Sequence, residues 1–220
     1  RPVLTLEMER QIRQSLLVML DTSTSMGIQD PRVGDDDLKR AAIAAGKREP
    51  KKGLEGDLDP GTIAEVEALT RTNVLRQVLV NEQLNLLPDL GEKFDLTGFT
   101  FGLATQVQQV GHYAKPQNEG GTNQVGQATI ADFPWVQESV RAVHASTAMG
   151  DSIREVLNRK RGQPLAGILV ASDGAHNMGA QPRTLIKELK ESGVPLYFYG
   201  VGITSPRDII VTEMDAPPAS

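Results

Sequence analysis

Continuous apolar runs along the chain predict the strands of a buried sheet. Residues that are apolar at consecutive positions, rather than at alternate ones, are typical of parallel strands covered on both faces. Two further apolar segments lie close together and predict a hairpin at one edge of the sheet. The predicted buried strands are residues 15–20 (SLLVML), 165–172 (LAGILVAS) and 194–202 (VPLYFYGVG), and the predicted hairpin pairs Phe99–Thr105 with Val107–Gly111.

Apolar residues at spacings of three and four predict helices between these strands. The longest such pattern covers Thr62–Leu87, and Thr72 or Asn73 is a candidate position for a break in it. Strands that alternate with helices favour an α/β fold. We therefore expect a doubly wound, Rossmann-like, mostly parallel central sheet with one antiparallel edge strand and helices on both faces. The other predicted helices are Leu38–Ala45, Asp132–Val143, Asp151–Lys160 and Pro182–Gly193.

The same pattern predicts the limits of the domain. Residues 1–14 form a lead-in, with a short strand near Val3–Leu6, and residues 15–204 form the domain itself. The polar stretch 46–61 is rich in proline and glycine, which predicts an exposed loop or an insertion. Residues 205–220 combine a strand pattern with a proline-rich tail and predict a linker to a further segment. We expect the chain to be one domain cut from a longer protein.

Composition removes several classes of function. The net charge of −5 and the sequence pI of about 5.3 argue against nucleic-acid binding, which needs a clustered basic face. The chain has no cysteine, so disulfides and thiolate metal sites are excluded. No apolar stretch approaches the roughly 20 residues that span a bilayer, so we expect no direct membrane insertion by this fragment.

Oxygen-bearing side chains follow two of the predicted buried strands. Asp21, Ser23 and Ser25 come directly after the first strand, and Asp173 follows the strand 165–172. In α/β sheets, sites form where the carboxyl ends of strands meet. Carboxylate and hydroxyl oxygens are hard ligands, suited to Mg²⁺, Mn²⁺ or Ca²⁺. The arrangement predicts a divalent-cation site at this edge of the sheet.

Other interpretations of these residues remain open. Ser and Thr after an aspartate can cap a helix or satisfy loop amides without any ion. A phosphatase or another hydrolase using Asp21 is an alternative, although such a phosphatase would carry a second aspartate where Ser23 stands. A serine hydrolase would usually carry Gly-x-Ser-x-Gly, which the sequence lacks. A purely structural domain of a larger envelope assembly is a third alternative.

Three segments, in order, resemble the metal-ion-dependent adhesion site (MIDAS) of von Willebrand factor type A (vWA) domains. They are DTSTSMG at 21–27, STAMGDSIREVL at 146–157 and VASDGAHN at 170–177. The resemblance covers nearly the whole chain, and it implies a non-enzymatic, metal-dependent protein-binding module. It implies that Ser23 and Ser25 bind the ion directly, that Asp21 and Asp173 act chiefly through water, and that Thr147 is a switchable ligand.

The resemblance also implies a partner and a setting. The partner would be a protein that presents an Asp or Glu carboxylate to a bound Mg²⁺, with Mn²⁺ or Ca²⁺ as alternatives. Thr122, preceded by two glycines, competes with Thr147 as the threonine ligand. The ends of the chain resemble bacterial membrane-anchored proteins, so we expect a soluble module of such a protein. Candidate residues at the rim of the partner-binding surface are Met26, Thr122, Gly174 and His176.

Overall fold

Strands and helices alternate along residues 13–116 and 126–203, the part of the chain described by this computed structural model. The strands are β1 (Ser15–Asp21), β2 (Asp95–Phe101), β3 (Gln108–Tyr113), β4 (Leu165–Ser172) and β5 (Leu196–Gly200). The helices are α1 (Asp35–Ala44), α2 (Pro60–Glu67), α3 (Arg71–Val80), α4 (Leu86–Lys93), α5 (Trp135–Ser139), α6 (Met149–Arg159) and α7 (Ile186–Ser192).

The described strands form one sheet in the order β3-β2-β1-β4-β5. β1 lies at the centre and pairs in parallel with β2 and β4, and β4 pairs in parallel with β5. β3 runs antiparallel to β2 at the edge of the sheet, as the predicted hairpin requires. The predicted fold class is confirmed: a mostly parallel α/β sheet with one antiparallel edge strand.

Helices cover both faces of the sheet at its centre, which explains the unbroken apolar run of β1. The prediction that 194–202 is a buried strand is wrong, because the edge strand β5 is largely exposed. Leu16, Val18 and Leu20 belong to a buried cluster with residues of α3, α4 and α5. Leu17 and Met19 belong to a second cluster with residues of α6 and α7. Because successive side chains of a strand point to opposite faces, both sets must be apolar. The central strand is therefore fixed in register, and its carboxyl end is fixed with it.

The single long helix predicted over Thr62–Leu87 is wrong, because the chain forms α2, α3 and the start of α4 there. Thr70 caps α3, and its side chain accepts a hydrogen bond from the Asn73 amide at 3.2 Å. Such a capped start favours a new helix over continuation of the previous one. Asn85, with a left-handed φ of 47°, separates α3 from α4.

Other boundaries also differ from the prediction. β2 begins at Asp95, before the predicted Phe99, and the helix predicted over Asp132–Val143 is reduced to α5. Arg76 holds the chain after α5, because its Nη2 donates to the Val140 carbonyl at 2.6 Å. The strand patterns near Val3 and in residues 205–220 lie outside the described residues. No helix in the described ranges has both the length and the apolar character needed to cross a membrane.

The stretch 46–61 wraps around one arginine. Arg48 is buried, and its guanidinium donates to the carbonyls of Gly53, at 2.8 Å, and of Glu55. A short 3-10 turn occupies Pro50–Lys52, and α2 begins inside the stretch at Pro60. Arg48 therefore holds the turns of this largely exposed stretch together through their carbonyls. Its status as an insertion stays a prediction.

Candidate metal site

Three loops meet at the carboxyl ends of β1 and β4, in the middle of the sheet. They are residues 22–27 after β1, residues 143–147 before α6, and residues 173–178 after β4. The Thr24 amide donates to the His144 carbonyl at 2.7 Å, and the His144 amide donates to the Thr22 carbonyl at 2.9 Å. The third loop joins through Asn177, whose amide donates to the Thr147 carbonyl at 3.1 Å. The segments predicted to form the site are therefore held together by their backbones.

Asp21, the last residue of β1, is buried with only 1% of its surface exposed. Its Oδ1 accepts from the Ser23 amide at 2.8 Å, and its Oδ2 accepts from the Ser172 hydroxyl at 2.6 Å. Burial raises the pKa of Asp21 despite these hydrogen bonds, which lower it. Within the described residues, no cation pairs with this carboxylate. When ionised, Asp21 therefore carries a buried charge that has only neutral partners among the described residues.

Ser23 and Ser25 bring two hydroxyl groups to one point. Residues Thr24–Gly27 form a 3-10 turn, and the two Oγ atoms lie 2.9 Å apart. Adjacent ligands of an octahedral ion with bonds of 2.0–2.1 Å would be separated by about 2.9 Å. Ser23 is buried and Ser25 is half-buried. The spacing of the two hydroxyls fits a Mg²⁺-sized ion without a change of backbone.

Thr147 is also buried, and its backbone is fixed on both sides. Its amide donates to Asn177 Oδ1 at 2.8 Å, and the next amide, that of Ala148, donates to the Gly102 carbonyl at 2.7 Å. Among the described residues, its hydroxyl has no hydrogen-bond partner. The hydroxyl is available as a ligand in a loop that contacts the other two. The competing candidate, Thr122, lies outside the described residues.

Asp173 has a charged partner that the sequence analysis missed. Arg71 Nη1 donates to Asp173 Oδ2 at 2.7 Å, while the Ala175 amide donates to Asp173 Oδ1 at 2.9 Å. The same guanidinium binds Asp30 through Nε, at 2.9 Å, and through Nη2, at 2.6 Å. The Asp30 and Asp173 side chains are 3% and 1% exposed. A lone arginine at a helix start gives no sequence signal for such a role.

The charges at this edge of the sheet do not balance. Asp21, Asp30 and Asp173 contribute three carboxylates, and Arg71 and the buried Arg32, which interacts with Asp30 and Arg71, contribute two guanidiniums, which leaves one net negative charge when all are ionised. No three histidine, aspartate or glutamate side chains within the described ranges are grouped as metal ligands. A cation would therefore be held through the hydroxyls, with the carboxylates behind them.

The predicted rim residues fall into different environments. Met26 is fully buried in the core cluster beneath the loop, so the prediction that it lies at a partner-binding rim is wrong. Gly174 is exposed, and His176 is half-buried with its Nδ1 buried and without a partner among the described residues. Large apolar side chains that the sequence analysis did not select are exposed on the same three segments or next to them. They are Ile28 (47%), Val143 (62%) and Met178 (50%).

No family model and no curated protein matches the chain. Some solved structures are similar to most of this chain, but those described below have identities under 25% and TM-scores under 0.5, so the resemblance to vWA domains stays a prediction.

Three structures illustrate the likeness. Proximal thread matrix protein 1 of the mussel byssus, with a zinc-occupied MIDAS motif, is 16% identical over 87% of this chain and 39% of its own, with a TM-score of 0.42. An aerotolerance-related membrane protein of Bacteroides fragilis is 14% identical over 90% of this chain and 76% of its own, with a TM-score of 0.40. Manganese-loaded TRAP of Plasmodium vivax is 14% identical over 90% of this chain and 65% of its own, with a TM-score of 0.37. The chain spans about two fifths of the mussel protein's length.

Proposed function

We propose that this chain is a metal-dependent protein-interaction module of the vWA type. The observation that carries the proposal is the buried Asp21 carboxylate, without a cationic partner among the described residues, next to two hydroxyls at ligand spacing. A buried charge is costly unless it is paired or coordinates a metal. The Asp21 carboxylate, which only neutral donors contact among the described residues, supports a divalent ion, with Mg²⁺ as our first choice and Mn²⁺ or Ca²⁺ as alternatives.

In this proposal each side chain has a distinct task. Ser23, Ser25 and Thr147 hold the ion through their hydroxyl oxygens. Asp21 orients the loop through the Ser23 amide and, with Asp173, balances the charge of the ion from behind its water ligands. When bound, the ion supplies a Lewis-acidic position to which an acidic group of a partner protein coordinates.

A binding role is favoured over hydrolysis by the hydrogen bonds of the candidate nucleophiles. The Ser23 and Ser25 hydroxyls form a hydrogen bond with each other, and His144, which contacts this loop, places its Nδ1 2.8 Å from the hydroxyl of Thr22. A serine nucleophile needs a base within hydrogen-bond reach of its own hydroxyl. We therefore propose that the module binds through its ion and catalyses nothing. Its place in a longer, membrane-anchored bacterial protein is also part of the proposal.

Thermal unfolding with and without divalent ions tests the proposal. An ion that binds only the folded state, at about 100 times its Kd, stabilises it by about 2.7 kcal/mol. For a chain of this size the melting temperature would rise by roughly 5–10 °C in Mg²⁺ or Mn²⁺ relative to EDTA. The Ser23→Ala/Ser25→Ala double variant should lose most of this rise.

Thr24→Ala is the matched control, because Thr24 lies between the two serines with its side chain exposed. It should keep the full stabilisation. Acetate is the probe for the partner's acid: it should lower the water-proton relaxation enhancement of bound Mn²⁺ by displacing a water ligand. An ion-dependent rise in melting temperature that persists in the double variant would refute the site. An ion-dependent rise in melting temperature without any effect of acetate would favour the structural alternative, in which the ion only stabilises the fold.

A further inference from the structure

Arg71 joins several segments at the carboxyl ends of the central strands, where the candidate site lies. It is the first residue of α3, and its amide donates to the Ile28 carbonyl at 3.0 Å. Its guanidinium binds Asp30 in the loop after β1 and Asp173 in the loop after β4. A Cβ added to Gly202, just beyond β5, would come within 3.7 Å of Arg71 Nε. The arginine is thus packed among the loops that carry the proposed ligands.

The guanidinium makes the two aspartates of the site chemically unequal. Asp173 has both oxygens engaged, one by Arg71 and one by the Ala175 amide. Asp21 has both oxygens engaged as well, but by neutral donors only. A charge-assisted hydrogen bond to arginine is roughly twice as strong as a neutral one. Asp173 is therefore held in place by an opposite charge, which reduces the negative charge that it offers to a cation.

We propose that Arg71 is a positioning residue that holds Asp173 away from direct coordination and thereby limits how tightly the site binds its ion. The inference rests on the proposed metal site. An ion that receives less charge from the protein keeps more positive charge toward the open position. Arg71 thus weakens ion binding by the protein alone and strengthens the attraction of the loaded site for a partner's carboxylate.

A purely structural role for Arg71 leads to the opposite expectation. Removing one partner of a buried ion pair usually destabilises the fold. If Arg71 only maintained the shape of the loops, its loss would weaken ion binding as well as stability. Under our proposal, its loss lowers stability but strengthens ion binding. The sign of the change in ion affinity separates the two roles.

The experiment is a Mn²⁺ titration followed by electron paramagnetic resonance, with wild type, Arg71→Gln and Asp30→Asn/Arg71→Gln. The double variant keeps the net charge of the cluster at its wild-type value and avoids an unpaired Asp30. We expect both variants to bind Mn²⁺ about tenfold more tightly, a difference of about 1.4 kcal/mol. Lys187→Gln is the control, because it also removes one positive charge and the 86% exposed Lys187 pairs with Glu191 within α7. It should bind as the wild type does.

The outcomes separate the inference from the proposed function. Tighter binding by the double variant supports direct control of Asp173, because net charge has not changed. Wild-type affinity in the double variant overturns the inference, and so does weaker binding. If the wild type itself binds no Mn²⁺, the proposed metal site fails and the inference fails with it. Acetate provides a second readout: it should bind loaded Arg71→Gln more weakly than loaded wild type, and equal binding counts against the proposal.

Discussion

Replacing Asp21 by asparagine should have opposite effects on stability with and without a divalent ion. Asparagine has nearly the shape of aspartate and keeps an acceptor for the Ser23 amide, which now donates to Asp21 at 2.8 Å. The Ser172 hydroxyl, 2.6 Å from Oδ2, can accept from the new amide group instead of donating. The substitution therefore removes the charge and keeps both hydrogen bonds.

Without the ion, Asp21→Asn should be the more stable protein at neutral pH. Burial raises the pKa of Asp21, so ionisation of this carboxyl costs more in the folded state than in the unfolded state and lowers stability as pH rises. The cost is present above the folded-state pKa and is lost as pH falls through it toward the unfolded-state value. We expect a gain on the order of 1 kcal/mol, since only the charge is lost. The gain should shrink as the pH is lowered.

With the ion, the order should reverse. Substituting a residue that supports metal ligands usually lowers metal affinity by about 10–100-fold. At an ion concentration of about 100 times the wild-type Kd, the wild type gains about 2.7 kcal/mol, whereas the variant gains about 0.4–1.4 kcal/mol. The difference of about 1.3–2.3 kcal/mol exceeds the advantage of about 1 kcal/mol that the variant has in EDTA. The exposed Asp57→Asn should change neither value.

Differential scanning calorimetry of both proteins, in EDTA and in Mg²⁺, at several pH values, provides the measurement. Two results would refute the reasoning. A lower melting temperature for Asp21→Asn in EDTA at neutral pH would mean that the Asp21 charge already stabilises the metal-free fold. A full ion-dependent rise in the variant would mean that Asp21 does not support the ion.

Two other substitutions test the packing around the sheet and the coupling between loops. A Cβ at Gly111 would lie 2.1 Å from Trp135 Cδ1, so Gly111→Ala should lower the free energy of unfolding by about 1–3 kcal/mol, measured by urea unfolding. Gly200→Ala is the control, because a Cβ there has nothing within 4 Å, and its stability should be close to that of the wild type. Asn177→Ala removes the acceptor of the Thr147 amide at 2.8 Å, and should weaken Mn²⁺ binding about tenfold in an isothermal titration; unchanged affinity would show that Thr147 needs no such support.

The fold was predictable from sequence where burial is complete. β1 and β4 are apolar at consecutive positions because helices cover both faces of the sheet, and this pattern is visible without a structure. The region Thr62–Leu87 was not predictable in the same way, because its apolar spacing continues across three helices. What divides it is the cap at Thr70 and the left-handed Asn85. Such single-residue signals are weak beside a long periodic pattern.

The candidate site was predictable to a different degree for each residue. Asp21, Ser23 and Ser25 lie within five residues, so a strand followed by a turn is enough to bring them together. Thr147 required the resemblance to a known family, because its place depends on hydrogen bonds between distant loops. Arg71 was missed, since its contact with Asp173 spans 102 positions. Long-range charge pairs leave no local trace in a single sequence.

The difference between Asp21 and Asp173 is the property of the site that most needs the structure. In the sequence the two residues look equivalent, as each is an aspartate at the end of a buried parallel strand. In the structure, a guanidinium from α3 lies against Asp173, whereas neutral donors alone contact Asp21 among the described residues. An ion bound between them would therefore be stabilised mainly by the Asp21 side. Arg71 also repels the ion. The loaded site therefore keeps more positive charge at its open coordination position, and an anionic partner is attracted more strongly to it.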